Sequence, residues 1–112
     1  MIAMAVEITL PIDKKWTVYE VPTNDPKLSF KGSPAWGLTY YKTKSIYIDK
    51  ELAKDHKVEV IRHEITHAVI FETQFSEHKK YNEEDLCELV AHYGKIIIEL
   101  ADKVSSKLSK EK

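Results

Sequence analysis

The sequence predicts an α+β domain in which a small antiparallel β-sheet from the first half packs against two helices from the second. Three observations carry that expectation. Residues 1–50 hold all four prolines and several short runs of β-branched and aromatic residues. Residues 57–72 repeat apolar side chains every three or four positions, and residues 82–106 do so over a longer stretch. A chain of 112 residues, 43% of them hydrophobic, suits one domain over 1–112 with a single core.

The elements follow in order. "WTVYEV" alternates as a half-buried strand does, and "VPTNDPKLSFKGSP" reads as an irregular loop. In "WGLTYYKTKSIYID" two strands, Trp36 to Tyr41 and Ser45 to Asp49, flank a turn at Lys42, Thr43 and Lys44, giving a hairpin whose lysines keep its tip soluble. Val58, Ile61, Ile65, Ala68 and Val69 mark the buried face of a helix from Lys57 to Glu72. After the polar linker "TQFSEHKKY", Asn82 is placed to cap a last helix. Its stripe is Leu86, Leu89, Val90, Tyr93, Ile97, Leu100 and Val104, with Glu83, Glu84 and Asp85 in the first turn. The tail "SSKLSKEK" is expected to fray.

Composition narrows the setting. Seventeen basic and eighteen acidic residues leave a net charge of −1, so no bulk field draws the chain to nucleic acid or an anionic membrane. The single cysteine, Cys87, cannot form an internal disulfide, which fits a reducing compartment. The first ten residues carry no basic leader, and no apolar run reaches the length of a membrane span. A cytoplasmic protein is expected.

The chemistry concentrates in "RHEITH". On a helix, His63 and His67 lie one above the other and can reach one tetrahedral ion, with Glu64 turned about 100° toward its open position. That spacing suits one Zn2+ per chain. Two neutral imidazoles and a third protein ligand would leave the fourth position to a water of lowered pKa, and Glu64 would serve as its general base. The competing reading is three polar residues on an ordinary amphipathic helix. The flanks weigh against it, because Ile61, Ile65, Ala68 and Val69 let this stretch pack inside a protein beside a metal-facing side.

A third ligand is expected from the last helix, with Glu83, Glu84 and Glu88 as candidates. Helical phase favours Glu83, which leads Leu86, Val90, Tyr93 and Ile97; Glu84 is the alternative. Glu88 could orient a ligand histidine from behind. Taken singly, each of these glutamates is as well explained by the favourable charge of an acidic helix N-terminus. His92 and Tyr93 could stabilise an oxyanion, set against the plainer reading of a surface histidine and a core tyrosine. His56 and His78 sit in charged settings and are expected to be exposed.

"VIRHEITHAVIFE" followed by "YNEEDLCELVAHYGKI", with a strand hairpin before it, resembles the small gluzincin-type HExxH zinc metallopeptidases. It is especially similar to minimal proteins encoded by bacteriophages and prophages, relatives of the ImmA/IrrE group. The similarity runs from about Trp36 to Ile98. It implies a minimal zincin-like fold, His63 and His67 as zinc ligands, Glu64 as catalytic base, Glu83 as third ligand and a peptide or protein as substrate. If the chain is phage-encoded, the compartment is the host cytoplasm. The family often has an aspartate one turn after the glutamate ligand, where this chain has Cys87. The glycine and third histidine of the metzincin pattern are absent, their places being taken by Ile70 and Thr73. The rival expectation is a zinc-containing binding module of phage or prophage origin that acts through a protein partner without turnover. Oligomeric state has no signature here.

Overall fold

The computed structural model describes residues 4–77 and 80–110, with side chains given as far as Leu108. His78 therefore lies outside the described residues, as do the first three residues and the last two. The chain forms β1 (Met4–Leu10), β2 (Lys14–Val21), two short strands β3 (Ser29–Phe30) and β4 (Ser33–Pro34), β5 (Gly37–Tyr40), β6 (Ser45–Asp49), α1 (Lys54–Glu72) and α2 (Glu83–Lys110). The α+β class is as expected. Helix α1 starts three residues earlier than the apolar repeat indicates, since Lys54 to His56 form a polar first turn.

The main sheet has the order β1-β2-β6-β5 and is mixed, which corrects the antiparallel expectation. β1 and β2 form an antiparallel hairpin, and β5 and β6 another, with Leu38 opposite Tyr47. The segment between β2 and β5 carries the chain to the far edge. β6 then inserts beside β2 in parallel, Thr17 to Val21 opposite Ser45 to Asp49. On the face of this central strand that meets the helices, Ile46 and Ile48 have no exposed surface, whereas Tyr47 on the other face is half-buried. β1, an element not predicted from sequence, is a strand that alternates Val6, Ile8 and Leu10 inward with exposed Ala5, Glu7 and Thr9 between them.

Helix α1 lies over β5 and β6, α2 lies over β1, and the helices pack on each other. The core between them unites Ile8, Trp16 and Val18 of the sheet with Ile61, Ile65 and Val69 of α1 and Leu100, Ala101 and Val104 of α2. Each fully buried Val or Ile contributes about 1.5–3 kcal/mol. Lys57 is buried, its Nζ donating to Glu20 on β2 at 2.6 Å and to the Lys50 carbonyl at 3.0 Å.

Helix α2 departs from its predicted stripe at both ends. Leu86 and Val90 are 54% and 67% exposed, whereas Ala101 and Leu108 are buried. The first turns of α2 run beyond the end of α1, so the buried face begins only at Leu89. The tail does not fray through Lys110, since Leu108 anchors it in the core. Asn82 caps the helix as expected: its Oδ1 accepts from the Asp85 amide at 2.8 Å and its own amide donates to Asp85. The linker before it folds into a short helical turn, Gln74–Glu77, with Phe75 buried. Lys44 is more than a solubilising residue. It pairs with Glu72 at the end of α1, where the indole N–H of Trp16 also donates at 2.8 Å, and so ties the β5–β6 turn to the helix.

Candidate metal and catalytic centre

Burial sets the rotation of α1. Val60, Ile61, Glu64, Ile65, Ala68 and Val69 point inward, which turns His63 and His67 outward on the flank beside β5. The two imidazoles stand one turn apart with ring centroids 4.9 Å from each other, and the His63 side chain is 68% exposed. Sequence spacing alone predicts this pairing, and the fold keeps it open to solvent.

Glu64 differs from its neighbours. It is 7% exposed, lodged between α1 and β5. The Thr39 hydroxyl of β5 lies 2.7 Å from its Oε1, as a donor, and 3.2 Å from its backbone carbonyl. Its Oε2 is 3.9 Å from His63 Nε2, beyond hydrogen-bond range. Every buried side-chain nitrogen or oxygen of the described residues has a hydrogen-bond partner; Oε2 has none and therefore reaches the surface. The carboxylate is thus held by one oxygen and presents the other.

Glu64 also lines a cleft of about 310 Å³ between β5 and the N-terminal half of α1, together with Trp36, Gly37, His56, Glu59, Val60 and His63. Gly37 is required by contact: a Cβ there would lie 2.7 Å from Val60 Cγ1 and 3.1 Å from Glu64 Cγ. Only a residue without a side chain lets the strand approach the helix so closely. His56, expected to be exposed, is half-buried on α1 with its ring 4.3 Å from that of Trp36.

Alternation along β5 brings Gly37, Thr39 and then Tyr41 to the side facing α1. Tyr41 packs on Phe71, ring centroids 4.9 Å apart, one turn beyond His67. Burial, then the negative charge of Glu64 and the neighbouring Tyr81, push the Tyr41 hydroxyl above its ordinary pKa, so it stays an O–H donor on the Glu64 side of the strand. Trp36, Gly37, Thr39 and Tyr41 were missed as site residues. Their signal was the period-two pattern of the predicted hairpin, but nothing in sequence showed which strand meets α1.

The acidic candidates are not brought to the histidines. Arg62 reaches Asp102 of α2 at 3.6 Å, so α2 lies on the Arg62 side of α1. His63 and His67 are turned from Arg62 by about 100° and 140°. Glu83 lies nineteen residues before Asp102 on one continuous helix, about 28 Å along its axis. Glu83, Glu84 and Glu88 are all exposed, and no three His, Cys, Asp or Glu side chains among the described residues form a metal-binding group. The phase argument for Glu83 fails because Leu86 and Val90, its reference points, are themselves exposed. Glu88 faces His92, Oε2 to Nε2 3.1 Å, and Tyr93 donates to Gln74 at 2.8 Å.

Chemically, the arrangement offers two exposed imidazoles, a positioned carboxylate and an adjacent edge strand. No helix of the described residues is long and apolar enough to cross a membrane. Compared with protein-family models, curated protein sequences and solved structures, the chain has no significant match.

Proposed function

We propose that the chain is a zinc-dependent peptidase of minimal zincin-like build, in which His63 and His67 hold the metal and Glu64 is the catalytic base. The observation that carries the reading is Glu64: a buried carboxylate that lines a cleft and is held by Thr39 through one oxygen, beside two histidines at ligand spacing. Two imidazoles at this spacing fit zinc, and no third side chain is assigned. Zinc, when bound, supplies a Lewis acid that acidifies water and polarises the scissile carbonyl.

The chain's own residues do the rest. β5 is the sheet edge beside the cleft, so an extended peptide can pair with it and lie across the two histidines by strand addition. Glu64 Oε2 takes the proton of the attacking water and later passes it to the leaving amine. Thr39 keeps Oε2 aimed at that position.

The test is metal content by elemental analysis, with zinc titration, followed by turnover of a peptide library. About one zinc per chain is expected, lost in His63→Ala and His67→Ala and retained in Glu83→Ala and Glu64→Gln. Glu64→Gln should lower turnover by about 10²- to 10⁴-fold. Failure to bind zinc would overturn the reading. Zinc binding without any Glu64-dependent hydrolysis would instead favour a binding module.

A further inference from the structure

We infer that the recess between Trp36 and Glu59 is a side-chain pocket that selects a basic residue, arginine above lysine, next to the scissile bond. This deepens the peptidase reading and rests on it. The recess begins at Glu64 and runs toward the N-terminus of α1, away from His67, so whatever fills it adjoins the reacting carbonyl.

Its walls have a definite chemistry. Val60 and the bare backbone of Gly37 form an apolar side, suited to a methylene stem. Trp36 touches His56 on one side yet remains 61% exposed, a large aromatic surface left open at the mouth. Glu59 shares a flank with His56 and His63 at three- and four-residue spacing and makes no ion pair or side-chain hydrogen bond among the described residues. Glu64, more than nine-tenths buried, lines the same space, with Oε1 alone of its carboxylate oxygens held by Thr39. No lysine or arginine lines the recess. Two carboxylates without a counter-ion repel an acidic side chain, and an aromatic surface beside a carboxylate suits a planar guanidinium, which stacks and forks at once. The volume, about 310 Å³, is at the small end of binding clefts and admits one side chain, not a folded ligand.

The experiment uses the full wild-type chain stripped of metal with a chelator, so that both carboxylates are kept and binding is read without cleavage. The probes are blocked tetrapeptides, acetyl-Ala-X-Ala-Ala-amide, with X as arginine, citrulline or glutamate, followed by calorimetry and by tryptophan fluorescence. Trp16 is buried and Trp36 exposed, so a peptide-induced change reports on Trp36. The arginine peptide is expected to bind about five- to tenfold more tightly than its neutral citrulline counterpart, with glutamate weakest. Glu59→Gln should cut the arginine preference at least twofold, and Trp36→Ala should weaken it and remove the fluorescence change. Equal binding of arginine and citrulline peptides, or a preference untouched by Glu59→Gln, would overturn the pocket even if the zinc-loaded wild type hydrolyses peptides. An arginine preference that depends on Glu59, in a wild type that cleaves none of the probes, would keep the pocket and overturn the peptidase. Binding of no peptide at all overturns the pocket.

Discussion

At the scale of single residues, Thr39 decides how Glu64 can act. A glutamate on an outward flank would wave in solvent; this one is held by a hydroxyl from a strand 25 residues away. Thr39→Val keeps the shape and removes the donor. The variant should bind zinc normally, keep KM within about twofold and lose about tenfold or more in kcat, because a base displaced by about an ångström loses most of its effect. Thr39→Ser should restore activity. Equal losses in Val and Ser variants would mean that Thr39 acts through packing alone. His63, Glu64 and His67 were legible in sequence because helix geometry fixes the relation of residues one turn apart. Thr39 was not, because no local rule relates position 39 to position 64.

At the scale of elements, a buried ion pair locks the start of α1 to the sheet. The Lys57 and Glu20 side chains are 8% and 3% exposed and 2.6 Å apart. Lys57→Met leaves the Glu20 charge buried without a partner and should cost about 3–5 kcal/mol in urea denaturation, while Lys57→Met with Glu20→Leu should recover most of the loss. A cost under 1 kcal/mol for the single variant would mean that Glu20 finds water instead. The helices themselves were legible: the apolar period located α1, which ends at Glu72 as expected and starts three residues early at Lys54, and Asn82 capped α2 where expected. The phase of α2 was misread because an amphipathic repeat assumes a partner along its whole length, and α1 ends before the first turns of α2.

At the scale of the whole molecule, the Lys44–Glu72–Trp16 cluster joins the β5–β6 turn, the end of α1 and the start of β2. Burial alone would raise the Glu72 pKa. Hydrogen bonds from Lys44 and Trp16, and the charges of Lys44 and Lys14, outweigh it and hold the carboxyl below its ordinary value. Folded Glu72 therefore binds its proton more weakly than unfolded Glu72. The stability it contributes is full above the unfolded pKa and is lost as pH falls through the lower folded pKa. Urea titrations of wild type and Lys44→Met should differ near neutral pH and converge as the solution becomes acidic. A difference that does not shrink on acidification would assign the stabilisation to Lys44 packing on Trp16 and Phe71, whose rings lie within about 6 Å of its ammonium group.

The sequence by itself determined the α+β class, the β5–β6 hairpin, the two helices and the stacking of His63 over His67, all of which depend on repeats and turn residues within a few positions of each other. Tertiary structure alone decided that β6 inserts in parallel beside β2, that β5 forms the edge over α1, and that Glu64 is gripped by Thr39 and bordered by Trp36 and Glu59. It also separated Glu83, Glu84 and Glu88 from the histidines. Those outcomes depend on strand order and on where one helix ends against another, and such long-range choices are settled by which surfaces bury together, a property no local stretch of this chain contains.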